Sequence, residues 1–270
     1  MTNLIKFGLW AVVFVLLFRM NKALFALVTA LFALYGLYLY IPMFWAGKAR
    51  DCFDKGEFSK AIEFYKKATK RDKVNFNIKL SYAYTLMRAG KFDDAETFLN
   101  AIVRDRRNTK PEQRNMAKQQ RCMVYLRQGR YSEAMEEAME MFNGGYKNTQ
   151  MYAMLGYFKL LGNEPQSEIT KFCEEAYDYN SEGRDIMDNL AICYYNEGRY
   201  SEAKEISDKL IAEAPEFMEA YYHGAQIALK CNDKERAKEF AQKIDECRRT
   251  AMTTITREEV EDIKTKVGLK

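Results

Sequence analysis

Hydrophobic positions follow two different rules along the chain. From Leu4 to Phe18, and again from Ala23 to Ile41, the sequence is almost unbroken apolar. Lys6 interrupts the first run, and Tyr35, Tyr38, Tyr40 and Trp45 collect toward the end of the second. Neither run leaves a polar face, which argues against buried helices of a soluble domain and predicts two membrane spans. The second run is close to the roughly 20 residues that cross a bilayer; the first reaches that length when Met1 to Ile5 joins it and Lys6 snorkels. Together they predict a helical hairpin turning at Arg19-Met20-Asn21-Lys22. No small-x-small pattern follows the first run at Phe18-Arg19-Met20, so a cleaved leader is not expected.

Beyond residue 41 the apolar positions become helix-periodic, and one hexapeptide shape punctuates them. Gly56-Glu57-Phe58-Ser59-Lys60-Ala61, Gly90-Lys91-Phe92-Asp93-Asp94-Ala95, Gly129-Arg130-Tyr131-Ser132-Glu133-Ala134 and Gly198-Arg199-Tyr200-Ser201-Glu202-Ala203 place glycine, aromatic and alanine at the same offsets. Glycine supplies the left-handed conformation that ends one helix, the Ser or Asp after the aromatic is expected to cap the next, and alanine lets the two helices approach closely. Ala61 to Ala95 and Ala203 to Ala237 are each 34 positions apart.

That period with those slots resembles the tetratricopeptide repeat family. Trp45, Tyr152 and Tyr221 match its first aromatic slot, Leu155-Gly156 and Leu190-Ala191 its second pair, Tyr125 and Tyr194 its third, and Pro215 stands where the family often ends a repeat. The resemblance sets six helical hairpins at about 42–75, 76–109, 115–148, 149–183, 184–217 and 218–248. In the fourth, Gly162-Asn163-Glu164-Pro165 lacks the aromatic and the alanine, so its turn is expected to differ. Thr256-Arg257-Glu258-Glu259 has capping-box spacing, and Val260, Ile263 and Val267 share a face of what reads as a closing helix. The whole is an all-α chain: a transmembrane helical hairpin over 1–41, an α-solenoid of about six repeats over 42–248, and a capping helix and tail over 249–270.

Composition narrows the chemistry. The net charge of +4 gives no pointer to nucleic acid. Six cysteines, Cys52, Cys122, Cys173, Cys193, Cys231 and Cys247, are scattered without a C-x-x-C pair, and His223 is the only histidine, which reads as small apolar residues in a reducing compartment and predicts neither metal nor cofactor. There is no Walker loop, no G-x-S-x-G and no H-E-x-x-H, so the chain does not read as an enzyme.

In the family resembled, the first helix of each hairpin lines a concave groove. The matching positions here are Tyr84, Met87, Arg88, Gln119, Gln120, Met123, Arg127, Met154, Tyr157, Asn189, Tyr195, Tyr222, His223 and Gln226. Aromatic faces, thioethers and amides suit a peptide client, although single Tyr and Met residues of such a set also pack between repeats. A carboxylate clamp of the chaperone-binding kind is not expected, since its slots hold Ala46, Arg50, Leu80 and Tyr84.

Arg104, Arg106, Arg107, Lys110 and Arg114 open a basic block opposed only by Asp105 and Glu112, a solvated loop or a contact for anionic lipid, RNA or an acidic segment. Contact between this block and the acidic middle of a second copy leaves a homo-oligomer open. Lys6, Lys48, Arg50, Lys55 and Lys60 outnumber Arg19 and Lys22 across the two spans, which favours repeats in the cytoplasm.

The leading expectation is therefore an integral membrane adaptor of a bacterial cell membrane, binding a protein or peptide segment at the cytoplasmic face. The alternatives are an envelope-assembly or secretion factor with its repeats outside, and a membrane organiser without peptide capture.

Overall fold

The computed structural model describes residues 18–19, 21–71, 74–247, 249–250 and 253–269. They form thirteen α-helices: α1 Lys22–Asp54, α2 Phe58–Ala68, α3 Phe76–Arg88, α4 Phe92–Arg104, α5 Pro111–Arg127, α6 Tyr131–Asn143, α7 Thr149–Leu161, α8 Gln166–Tyr179, α9 Arg184–Asn196, α10 Tyr200–Ala212, α11 Met218–Lys230, α12 Lys234–Lys243 and α13 Arg257–Lys266, with a 3-10 turn at Ile244–Glu246. Two compact units divide between Thr85 and Leu86, within α3.

In the first unit, α1 is one helix of 33 residues, about 50 Å long at the usual rise. It contains both the second apolar run and the first helix of the first repeat. The expected opening of a repeat at Pro42 is corrected: Pro42 lies inside the helix. Proline has no N–H to offer the carbonyl four residues back, so Tyr38 loses its helical donor. The Arg71 guanidinium donates to that carbonyl instead and lies over the Tyr38 ring, 3.6 Å from its centroid. At the other end Asn21 caps α1, its carboxamide oxygen accepting from the N–H groups of Ala23 at 2.9 Å and Leu24 at 3.1 Å. The first apolar run lies outside the described residues except for Phe18, so α1 is the one described helix long and apolar enough to cross a membrane. Beyond Pro42, α1 packs on α2, where Trp45 stacks on Phe64 at 5.7 Å and Ala61, Ile62, Tyr65 and Ala68 are buried.

The hairpin turns follow one plan. Gly56, Gly90, Gly129 and Gly198 take φ between +72° and +76°, and the following N–H reaches back to a carbonyl five residues earlier, as from Arg199 to Tyr194 at 2.9 Å. Asn232, φ +60°, fills the same role before α12. The expected caps are corrected. The aromatic is the first helical residue, so Glu57, Lys91, Arg130 and Arg199 are the N-caps and none makes a side-chain cap bond. Ser59, Asp93, Ser132 and Ser201 fall inside the first turn, two residues too late to cap. The alanines Ala61, Ala95, Ala134, Ala203 and Ala237 are fully buried, as close helix approach requires.

In the second unit the hairpins α5/α6, α7/α8, α9/α10 and α11/α12 stack in order. Successive first helices α7, α9 and α11 pack on one another more closely than any successive second helices do, so the first helices form the inner, shorter face. The turn between α7 and α8 differs as its sequence implied: Gly162 is extended, and Phe172 of α8 packs against Phe142 and Tyr152. α5 starts at Pro111, earlier than expected, because proline suits the first helical position and the Gln113 side chain accepts from the Lys110 N–H at 3.0 Å. α13 closes the array with Val260 and Ile263 buried beside Tyr222 and Phe240. Thr256 and Glu259 form the reciprocal capping box at its start.

Candidate functional site

The inner face of the second unit carries a polar cluster that the first helices bring together from distant positions. Asp188 on α9 and His223 on α11 pair through Nδ1, 2.9 and 3.0 Å from the two carboxylate oxygens. One helical turn before His223 stands Glu219, 9% exposed, its carboxyl beside the Thr253 side chain and its Oε2 without a partner among the described residues. Burial works to lower the His223 pKa, but the charge of Asp188 and the hydrogen bond to it outweigh burial, so the value rises. Burial raises the Glu219 carboxyl, with Asp188 adding to it. Asp185 is exposed at its tip, but the protein packed around its carboxyl, with the charges of Asp188 and Glu219 adding, pushes its pKa up to about 6.

This face is not empty. The chain's own segment after the last hairpin returns across it. Arg127, at the end of α5, donates from Nη1 to the Thr253 carbonyl at 2.8 Å, 126 positions away. The Tyr157 hydroxyl on α7 meets the Thr254 hydroxyl at 2.6 Å. Thr253 also accepts from the Thr250 N–H at 2.9 Å, and Ile255 is buried among the side chains of α11, α12 and α13. The first helices α5, α7 and α11 thus hold one extended segment through a backbone carbonyl, a hydroxyl and one aliphatic side chain.

Two tetratricopeptide-repeat family models match this chain, over residues 53–121 and 185–216. These two segments resemble tetratricopeptide repeats. The fold agrees across solved structures. A tetratricopeptide repeat protein from Parabacteroides merdae superposes with a TM-score of 0.62 at 15% identity, over 84% of each chain. A thermophilic tetratricopeptide protein of Thermus thermophilus gives 0.54 at 13%, over 72% of this chain and 97% of its own. The pilF protein of Pseudomonas aeruginosa gives 0.56 at 14%, over 84% and 97%. No curated protein matches in sequence.

The helical array sorts the groove positions expected from sequence. Arg127, Tyr157 and His223 belong to the polar cluster or hold the returning segment. Tyr222 is buried against it and accepts from Gln226 Nε2 at 3.0 Å. Met87 and Met154 are corrected to core positions, 3% and 6% exposed, because they face neighbouring helices. Asn189 is buried as well, its amide donating to the Ala153 carbonyl at 2.8 Å. Met123 packs against the same core, and Tyr195 lies edge-on to Tyr200. Gln119, Gln120 and Arg88 are half-buried, and Gln120 Oε1 has no partner among the described residues. Tyr84 belongs to the first unit, 5.8 Å from Phe53.

Asp188, Glu219 and Thr253 were missed from sequence. Glu219 was within reach, since it lies four residues before His223 and shares its helix face.

The basic block separates into two parts. Arg121 pairs with Glu137, Lys118 with Glu140 at 3.5 Å, and Arg130 with Glu96 at 2.8 Å and Glu133 at 2.6 Å. Arg114 is half-buried and donates to the Thr109 carbonyl. Arg104, Arg106, Arg107 and Lys110 are exposed, and no ion pair joins them to an acid among the described residues. The six cysteines are free thiols, Cys122, Cys173 and Cys193 buried. Burial, with Glu137 nearby, raises the Cys122 thiol far above its ordinary range, so it reads as an inert core side chain.

Proposed function

We propose that this chain is a membrane-anchored tetratricopeptide adaptor that holds a protein or peptide segment at the cytoplasmic face of a membrane. The interaction scaffold itself follows from the repeats. One observation carries the anchor: the most apolar 18-residue window of α1 has a mean hydropathy of 2.1, and none of its residues is buried by the rest of the chain. A core helix would be covered. Tyr35, Tyr38 and Tyr40 at the end of that window, and Lys66, Lys67, Lys70 and Arg71 on and beyond α2, suit a headgroup boundary. Because α1 runs unbroken from the apolar window into the first repeat, this anchor would hold that repeat at the bilayer surface. The role is binding, without chemistry of its own.

The test is alkaline extraction followed by labelling of a Lys266→Cys variant, whose side chain is 59% exposed, with a membrane-impermeant thiol reagent. Retention in the membrane with labelling only after lysis is expected. Extraction into the soluble fraction would defeat the anchor, and labelling of intact cells would defeat the cytoplasmic orientation.

A further inference from the structure

We propose that the inner face of the second unit is a receptor for an extended segment of another protein, and that the chain's own Thr253–Thr256 is the displaceable stand-in for it. The inference rests on the adaptor reading and says what the adapted segment looks like.

The chemistry of the contact supports exchange. Arg127 reads a backbone carbonyl, which every peptide has, and Tyr157 reads a hydroxyl that any Ser or Thr supplies. Thr254 and Thr256 remain exposed, so the segment is held along one edge only. The fit is also incomplete. Buried carboxylate oxygens are normally satisfied, yet among the described residues Glu219 Oε2, beside the Thr253 side chain, has no partner. A filler built only to close the array would leave no such acceptor. A partner segment with an amine or amide where Thr253 lies would reach both Glu219 oxygens, in a face already made acidic by Asp185 and Asp188. The preferred occupant is therefore an extended segment with a side-chain donor over Glu219 and a hydroxyl residue over Tyr157. The tethered stand-in competes at an effective concentration on the order of millimolar, so a partner must be local or well matched to displace it.

The experiment uses the full chain in detergent, with fluorescent peptides of the sequence of residues 248–256, one natural and one carrying Thr253→Lys. Adding Thr253→Asp and Thr254→Asp to the protein places like charges against Glu219 and expels the tail while leaving Ile255 and α13 intact. The expected result is at least tenfold tighter peptide binding by the expelled variant than by the natural chain. Thr253→Lys should tighten it further, and Arg127→Ala in the same background should reverse the gain. A folded variant that binds no better than its Arg127→Ala counterpart overturns the proposal and makes the segment a fixed plug. Exchange of tails between two copies, seen as a dimer of the natural chain, also overturns it.

Should the variant fail to fold, hydrogen exchange on the natural chain decides. Amides of Thr253–Thr256 exchanging well before those of α7, α9 and α11 support displacement, and equal protection overturns it. Peptide binding does not depend on where the chain sits in the cell, so its failure is distinguishable from failure of the anchor, which the extraction reads.

Discussion

Arg71 closes the backbone gap that Pro42 opens in α1. Its guanidinium donates to the Tyr38 carbonyl and covers the Tyr38 ring, tying the end of the first repeat to the helix that precedes it, 33 positions back. Replacing Arg71 with Ala should speed amide exchange around Pro42 and at the end of α2 by about tenfold, the value of roughly 1.4 kcal/mol for one charge-assisted bond. Arg71→Lys should restore only part of this, because an ammonium cannot both stack flat on the ring and reach the carbonyl. Hydrogen exchange with peptide resolution reads both, and unchanged rates would mean that water serves Tyr38 equally well.

Gly156 sits where α7 meets α9. A Cβ there would lie 2.9 Å from Asn189 Nδ2 and 3.4 Å from Cys173 Sγ. Gly156→Ala should therefore destabilise the second unit by about 1–3 kcal/mol through overpacking, even though alanine favours helix by roughly 1 kcal/mol. Urea unfolding measures it. Adding Asn189→Ala relieves the clash but removes the bond to Ala153, so the double variant should fall between the parent and a simple sum.

Stability should fall as pH rises from about 4 to beyond neutrality. Folded Asp185 keeps its proton to about pH 6 whereas the unfolded side chain releases it near about 3.9, so between these values the folded chain binds more protons and each step up in pH costs stability. Glu219 acts in the same direction. His223, raised by Asp188, contributes stability that is complete below about 6.5 and is lost as pH rises through its folded value. Glu133 and Glu202, held low by Arg130 and Arg199, work the other way in the most acidic range. Urea midpoints at pH 4.5, 6 and 8 should descend. Asp185→Asn should flatten the lower interval and His223→Gln the upper one. A midpoint that climbs with pH would refute this account of the cluster.

Arg130 and Arg199 repeat one local design. Each lies over the tyrosine that ends the preceding helix, 4.2 Å from Tyr125 and 3.9 Å from Tyr194, and each grips the glutamate three residues on. They differ in reach to an earlier second helix: Arg130 meets Glu96 at 2.8 Å, Arg199 meets Glu174 at 3.4 Å. Arg130→Ala should lower the thermal midpoint more than Arg199→Ala, and the gap should narrow in high salt. Equal losses would mean that the stacking, common to both, is what matters.

What the sequence by itself determined is local. A left-handed glycine, an aromatic and an alanine at set offsets mark a turn because each acts within a few residues, so the hairpins over α3 to α12 were legible, including the odd turn at Gly162. Reading Ser59 and Asp93 as caps failed by two positions, since the conformation of Gly56 and Gly90 decides which residue enters the helix first. The fate of Pro42 was not legible, because the donor that rescues Tyr38 comes from Arg71 across a whole hairpin. Of the groove positions that the family resemblance implied, Arg127, Tyr157 and His223 lie on the inner face, whereas Met87 and Met154 pack against neighbours as core. Only the tertiary structure decided that Thr253 and Thr254 lie on that face, for an extended polar segment has no periodicity of its own and takes its place from the surface that binds it.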